Sequence, residues 1–241
     1  MKEKSSSNTI RLNKFISNAG FYSRREADKL IAKGRVTING SLCTKLGIKI
    51  NLNDSVKVDG KVFEPKRKVY ILLNKPKDFC TNTNTNKNKK SAKDLIKNIK
   101  QEIVSVGNLS YQTTGLVFYT NDLELKEKLL NPTNKVKGIY SLVLNKNISE
   151  DDIKKIKECT NIDNTIVRIN KVERLNNKNE FGLETYICDD GILKRIFEKI
   201  NIKIIKLDRV LFGPFTKKDL PRGKWRILKN LEVRNLKVLI R

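Results

Sequence analysis

Residues 106–122 read VGNLSYQTTGLVFYTND, and this stretch decides how the larger part of the chain is read. Leu116–Tyr119 is an apolar block of strand length, so a strand is expected at 115–120. A second strand is expected just before it, at 103–107, and a helix directly after it, at 122–130. Moving outward, further strands are expected at 69–74, 139–145, 165–175, 182–188 and 203–212, with helices at 93–99, 149–159 and 191–200. Strands outnumber helices, and neighbouring strands often follow one another directly. The pattern predicts an α+β domain over 69–241 built on a mainly antiparallel, mixed sheet. Its first strand ends in Lys75-Pro76, and residues 81–90 (TNTNTNKNKK) are a polar low-complexity stretch, expected as a mobile loop.

The start of the chain has a different texture. Leu12, Phe15, Ile16 and Ala19 recur at helical spacing, with Gly20 as the expected stop. Ser23-Arg24-Arg25-Glu26 has the form of a capping box opening a second helix that carries Ala27, Leu30 and Ile31 inward and ends at Gly34. Val36–Ile38, the Asn39-Gly40 pair and Leu42–Thr44 predict a hairpin with a type I′ turn, and Ser55–Val58 before Asp59-Gly60 predicts one more strand and turn. A small α/β unit is therefore expected over 10–62, joined by a linker at 63–68 (FEPKRK).

Charge and composition narrow the function. The 241 residues carry 51 Lys+Arg against 26 Asp+Glu, a net charge of +25. Lys outnumbers Arg 38 to 13, as codon drift toward A+T would produce, but drift alone does not create the net excess. A polyanionic partner, nucleic acid, is expected. Arg11, Lys14, Arg24, Arg25, Lys29, Lys33 and Arg35 fall on one helix–hairpin surface of the first unit. There is no His, which excludes a His general base, a Ser-His-Asp triad and His-ligated metal. Cys43, Cys80, Cys159 and Cys188 form no CxxC pair, so zinc and disulfides are not expected and reduced, mostly buried thiols are. There is neither a Gly-rich phosphate loop nor an apolar run near the ~18 residues that cross a bilayer. A cytoplasmic monomer is expected.

RLNKFISNAGFYSRREADKLIAKGRVTINGSLCTKLGIKI, residues 11–50, resembles the S-four type RNA-binding domain, which grips structured RNA with its second helix and adjoining basic residues. Three later blocks resemble the ribosomal-RNA pseudouridine synthases of the RsuA/RluB type. YILLNKP (70–76) is similar to that family's first sheet strand and Lys-Pro turn. VGNLSYQTTGLVFYTND is similar to its central motif, VGRLDxxTxGLLLLTND, and LDRVLFGPFTKKDLPRGKWRIL (207–228) to its RVxIGPxxLxDLPxGxWRxL signature. The resemblance implies structured ribosomal RNA as partner, free or in pre-ribosomal particles. It also implies a reaction in which uracil is detached from its ribose, rotated while bound and rejoined through a ring carbon, without cofactor or metal. One carboxylate in the central motif is indispensable to it.

At that position this chain has Ser110, and Asn108 stands where the motif has Arg. In GILKRIF, the counterpart of an RQVRRMF-like motif, Gly191, Ile192 and Lys194 replace Arg, Gln and Arg, while Arg195 and Phe197 remain. Tyr140 matches the family's base-stacking aromatic, which implies an exposed platform; the alternative is a strand aromatic in the core. Lys194 and Arg195 join the expected RNA-binding set. Ser is a weak nucleophile without a base, so the expectation is an RNA-binding family member whose catalysis is lost or impaired. The alternative is an active synthase in which Asp122, Asp189 or Asp190 supplies the carboxylate.

Overall fold

The computed structural model describes residues 9–19, 21–64, 67–81, 90–158, 161–162, 165–166, 169–175 and 177–240. Gly20, most of the 81–90 stretch, part of the linker and Cys159 lie outside the described residues. The chain divides into two compact units at Arg67/Lys68.

The first unit runs β1 (Thr9–Arg11), α1 (Leu12–Asn18), α2 (Arg24–Ala32), β2 (Val36–Ile38), β3 (Ser41–Cys43), β4 (Lys49–Asn51), β5 (Val56–Val58) and β6 (Lys61–Phe63). The capping box forms: Glu26 N–H donates to Ser23 Oγ, and Ser23 N–H donates to the Glu26 carboxylate at 2.7 Å. Both hairpin turns have positive φ at both central residues, Asn39-Gly40 and Asp59-Gly60, as type I′ geometry requires. A four-stranded antiparallel sheet in the order β3-β2-β5-β6 results, with β1 and β4 paired beside it. Leu12, Phe15, Ile16, Ala27, Leu30 and Ile31 form its core with Val36, Val56 and Val58. Phe63, read from the sequence as linker, ends β6 and is buried against that core, stacked on Tyr22.

The second unit contains β7 (Tyr70–Lys75), β8 (Val104–Val106), β9 (Thr114–Thr120), α3 (Leu123–Leu130), β10 (Gly138–Leu144), α4 (Glu150–Glu158), β11 (Asn161–Ile162), β12 (Thr165–Ile166), β13 (Ile169–Arg174), β14 (Glu180–Thr185), α5 (Asp190–Lys199), β15 (Ile204–Phe212), β16 (Phe215–Thr216), β17 (Trp225–Ile227) and α6 (Asn230–Val238). Its sheet has the order β13-β14-β10-β15-β9-β7-β17, with β16 on β15 and β8 on β9. All pairings are antiparallel except β15 with β9.

Alternation along β7 explains the layers. Tyr70 and Leu72 pack on one face with Leu125 and Leu129 of α3 and Leu236 of α6; Ile71 and Leu73 pack on the other with Ile156 of α4 and Leu193, Ile196 and Phe197 of α5. A strand buried on both faces reads as a continuous apolar run, which is how β7 reads.

The sheet forks at β9. The whole of β9 from Gly115 pairs with β7 on one edge. On the other, β15 pairs only at Thr114 and Gly115, and β8 takes over at Phe118–Thr120. Gly115 makes the junction possible. It sits at φ +108°, and a Cβ there would lie 2.3 Å from the Arg209 carbonyl oxygen.

Two expectations need correction. Only a single 3₁₀ turn, Ala92–Leu95, stands where a helix was expected at 93–99, because Asn98 takes a left-handed φ of +62° that an L-residue helix does not continue through. The expected strand at 165–175 is two pieces, β12 and β13, which pair with different partners.

Candidate functional site

The loop between β8 and β9 enters the fork of the sheet, and its path is set by Gly107. That residue has φ +76°, and a Cβ there would fall 2.3 Å from the Cys188 carbonyl oxygen. Without a side chain it lets Asn108 bridge to the entry of α5: Asn108 N–H donates to the Cys188 oxygen at 3.0 Å and Asp190 N–H donates to the Asn108 oxygen at 3.2 Å. Two segments distant in sequence are thereby clamped side by side. Ser110 is placed against the first turn of α5.

Around Ser110 the polar groups close on one another. Its N–H donates to Asp190 Oδ1 at 2.9 Å and its Oγ donates to Asp190 Oδ2 at 2.6 Å. Thr113 Oγ1 donates to the same Oδ2, and Lys194, one turn along α5, reaches both Oδ2 (2.8 Å) and Ser110 Oγ. Asp190 is 0% exposed. Burial opposes its charge, but the Lys194 ammonium and the hydrogen bonds from Lys194, Ser110 and Thr113 outweigh it and hold the carboxyl below its ordinary range. Asp190 is therefore an anion, with Oδ2 taking three donors and Oδ1 one.

Beneath this cluster lies Lys75, also fully buried, the Lys of the Lys-Pro turn. Its ammonium donates to the carbonyls of Pro76 (3.2 Å), Phe79 (2.5 Å) and Ser110 (3.0 Å), pinning the loop from below. Burial pushes it down to about 8, against the opposing pull of Asp190. Arg209 is buried beside them, with Nε donating to the Leu116 carbonyl at 2.6 Å.

Sequence reasoning named Ser110, Asp190 and Lys194, and the structure brings these three together. Lys194, however, spends its charge on Asp190 and Ser110 rather than facing a phosphate. Tyr140 offers no open face: it is 0% exposed, and its hydroxyl donates to the Ile187 carbonyl at 3.1 Å. It lies in β10, paired on both edges, and its ring is buried in the core cluster that includes Leu193 and Phe197 of α5.

The other carboxylates have different tasks. Asp189 caps α5 by accepting from Gly191 N–H at 2.8 Å, and burial raises its carboxyl. Asp122 caps α3, accepts from the Tyr70 hydroxyl at 2.9 Å and pairs with Lys68 at 2.7 Å. It stands past the far end of β9, about 20 Å of strand from the Ser110 loop. From the sequence Lys75 is only the end of the first strand with its Lys-Pro turn, and Thr113 does not stand out as a site residue, although the motif has Thr at that position.

In the first unit, Arg11, Arg24, Arg25, Lys29 and Lys33 are exposed and Lys14 is half-buried. Arg35 is held by Asp59, with Nε donating at 2.6 Å, so its charge is partly spent inside the unit. Arg195 is exposed on α5. Among the described residues no group of three or more acidic, thiol or imidazole side chains gathers as a metal site, and no helix is long and apolar enough to cross a membrane. Cys43 and Cys80 are free and buried, and Cys188 is free and half-buried.

Comparison with known proteins agrees with this architecture. Residues 10–56 match the S4 domain family, and residues 69–187 match the family described as RNA pseudouridylate synthase. The chain is 34% identical to an uncharacterized RNA pseudouridine synthase of Aquifex aeolicus over 94% of this chain and 93% of that protein. It is 32% identical to ribosomal large subunit pseudouridine synthase B of Bacillus subtilis, covering 95% and 96%, and 30% identical to the dual-specificity RNA pseudouridine synthase RluF of Escherichia coli, covering 96% and 80%. A crystal structure of a pseudouridylate synthase superposes with a TM-score of 0.63 over 94% of this chain and 99% of that one at 22% identity, a likeness of fold.

Proposed function

The chain belongs to the RNA pseudouridylate synthase family, with an S4 domain ahead of the synthase domain, and from that premise we propose that it binds structured ribosomal RNA while its uridine isomerisation is lost or impaired. One observation carries the second half of this reading. The carboxylate at the Ser110 site belongs to Asp190, and it is wholly enclosed, with its oxygens occupied by Ser110, Thr113 and Lys194. A nucleophile or general base must reach the sugar or the base, and an occluded, saturated carboxylate does not. The hydroxyl of Ser110 donates to the Asp190 carboxylate, which Lys194 and its hydrogen bonds hold below the ordinary range and so leave too weak a base to activate it.

Retention of the binding role is supported by the net charge of +25 and by the exposed basic residues around α2 of the S4 unit, notably Arg24, Arg25, Lys29 and Lys33. Arg11 and Lys14 belong to the same S4-unit set, Arg35 gives part of its charge to Asp59, and Arg195 on α5 is assigned to RNA contact by the synthase unit.

A second reading has its own observation. Asp190 Oδ2 lies 2.6 Å from Ser110 Oγ, so the negative charge is displaced only slightly from where a carboxylate at position 110 would sit, and Lys194 supplies a counter-ion. Opening of the α5 entry on RNA would then expose an active carboxylate.

Mapping pseudouridine by chemical labelling, after incubating full-length protein with unmodified ribosomal RNA transcripts, separates the two. Tight, salt-sensitive binding with every uridine unchanged is the expected result. New pseudouridine made by the natural protein would sink the first reading, and its disappearance in Asp190→Asn would assign the chemistry to that carboxylate.

A further inference from the structure

The net charge of +25 is not spread evenly along the chain. Residues 145–185 hold 8 Lys+Arg and 8 Asp+Glu, so the remaining residues carry the whole excess. This neutral segment supplies α4 and the strands β11 to β14. At its margin stands β13, which pairs with β14 on one edge and with no described strand on the other.

The chemistry of that open edge follows from the alternation of the strand. Leu175 N–H donates to the Glu180 carbonyl at 2.9 Å, so the backbone groups of Glu173 also turn toward β14. Those of Val172 and Arg174 turn outward. The Val172 side chain is buried in the core cluster with Ile156 of α4. Lys171 and Glu173 project from the opposite face, each more than half exposed, and pair with one another at 2.5 Å.

A lone lysine on an edge strand keeps foreign strands away. Here the order Lys171-Val172-Glu173 is complementary to its own reverse. When two β13 strands run antiparallel about a two-fold axis at Val172, the two Val172 residues exchange a pair of backbone hydrogen bonds, and Lys171 of each stands directly opposite Glu173 of the other. The four charges then alternate in sign. Centring the axis on Lys171 or on Glu173 would set like charges opposite, so the register is specified. The bulge at Asn170, where the register with β14 shifts, keeps the ladder short and the association weak.

We propose that the open edge of β13 joins a second copy of this chain as a two-fold dimer centred on Val172. Two chains of net charge +25 repel across most of their surfaces, and the neutral 145–185 segment is where they can meet. The dimer replaces the monomer expected from the sequence, and it does not depend on whether uridine is converted.

Sedimentation equilibrium of the full-length protein without RNA, up to about 1 mM in about 0.15 M salt, should show the mass rising with concentration from 27.8 kDa toward twice that value. Amide exchange at Val172 and Arg174 should slow over the same range, while that at Glu173, already bonded to β14, should not change. Lys171→Glu makes the edge wholly acidic and Glu173→Lys makes it wholly basic. Each alone should weaken self-association at least about tenfold, because two attractive pairs become two repulsive ones, with the circular dichroism spectrum unchanged. An equimolar mixture of the two variants should recover the dimer, and so should both substitutions in one chain. If the natural protein stays at 27.8 kDa throughout, the charges and the bulge only protect the edge and the proposal is overturned. Dimerisation that survives either single substitution would mean that another surface joins the copies. Loss in both single variants without recovery in their mixture would equally overturn the pairing of Lys171 with Glu173.

Discussion

Replacing Ser110 by Asp looks like the simplest restoration of the family's site, and the structure predicts that it carries a penalty. Ser110 Oγ is 2.6 Å from Asp190 Oδ2, so a carboxylate at 110 would stand about 4 Å from that of Asp190. Two like charges at that separation repel by about 4 kcal/mol at an effective dielectric constant of 20. Lys194 pairs directly with Asp190 and Lys75 lies beneath the loop, which offsets part of this and leaves about 2 kcal/mol, or roughly 1.5 pH units of displacement in the upper titration of the pair. A carboxyl raised in the folded state holds a proton that the unfolded chain has already released, so stability is lost as pH climbs through that interval. Urea unfolding between pH 4 and pH 8 should show Ser110→Asp matching Ser110→Asp/Asp190→Asn near pH 4 and falling behind it by about 2 kcal/mol above about pH 6. The natural protein should slope the other way. Its Asp190 is held low, so that contribution is present above the unfolded carboxylate value and is lost as pH falls through the depressed one. Parallel curves for the single and double variants would refute the electrostatic reasoning, because they would mean that the two side chains do not share one site.

Asp190→Asn alone leaves Lys194 without its anion and should cost about 3–5 kcal/mol in urea unfolding, with Lys75 falling further below about 8 as the opposing pull of Asp190 is removed. Gly115→Ala drives a Cβ to 2.3 Å from the Arg209 carbonyl at φ +108° and should yield no folded protein by circular dichroism, while Gly40→Ala, which meets nothing within 4 Å, should lose only about 1 kcal/mol from its positive φ. Arg24→Ser, Arg25→Ser and Lys29→Ser should each reduce the log–log salt slope of ribosomal-RNA binding by about 0.7–0.9, and an unchanged slope would remove the S4 helix from the interface.

Much of the fold was legible because its punctuation is local. The Ser23–Glu26 capping box and the Asn39-Gly40 turn each specify their geometry within four residues, and both form as read. Most strands from β7 to β15 were visible as apolar blocks, with β12 and β13 read as one. What was missed is short or terminal: β1 with β4, β6, β11, β16, β17 and α6; the pairings of β1 and β17 depend on partners far along the chain. At the site, the motif pointed to Ser110 and to the Asp189-Asp190 pair as a candidate source of charge. It could not say which of three carboxylates lies near. That answer depends on the Asn108–Cys188 clamp, a contact across 80 residues permitted by a missing Cβ at Gly107. Tyr140 has two readings from the sequence, a stacking aromatic and a strand aromatic in the core, and motif position cannot choose between them; the structure buries its ring in the core.

The pairing of β7 with β17 has a consequence for synthesis. Leu73 finds Trp225 and Ile71 finds Ile227 only when the last strand has left the ribosome. At 5–20 residues per second the roughly 150 intervening residues take about 8–30 s. Throughout that time one edge of a strand that opens with the apolar run Tyr70–Leu73 has no partner, which is the condition that invites wrong association. Chains arrested before Trp225 should therefore exchange the amides of Leu72 and Asn74, which point toward β17, rapidly and bind hydrophobic-segment chaperones, whereas chains extended past Leu228 should do neither.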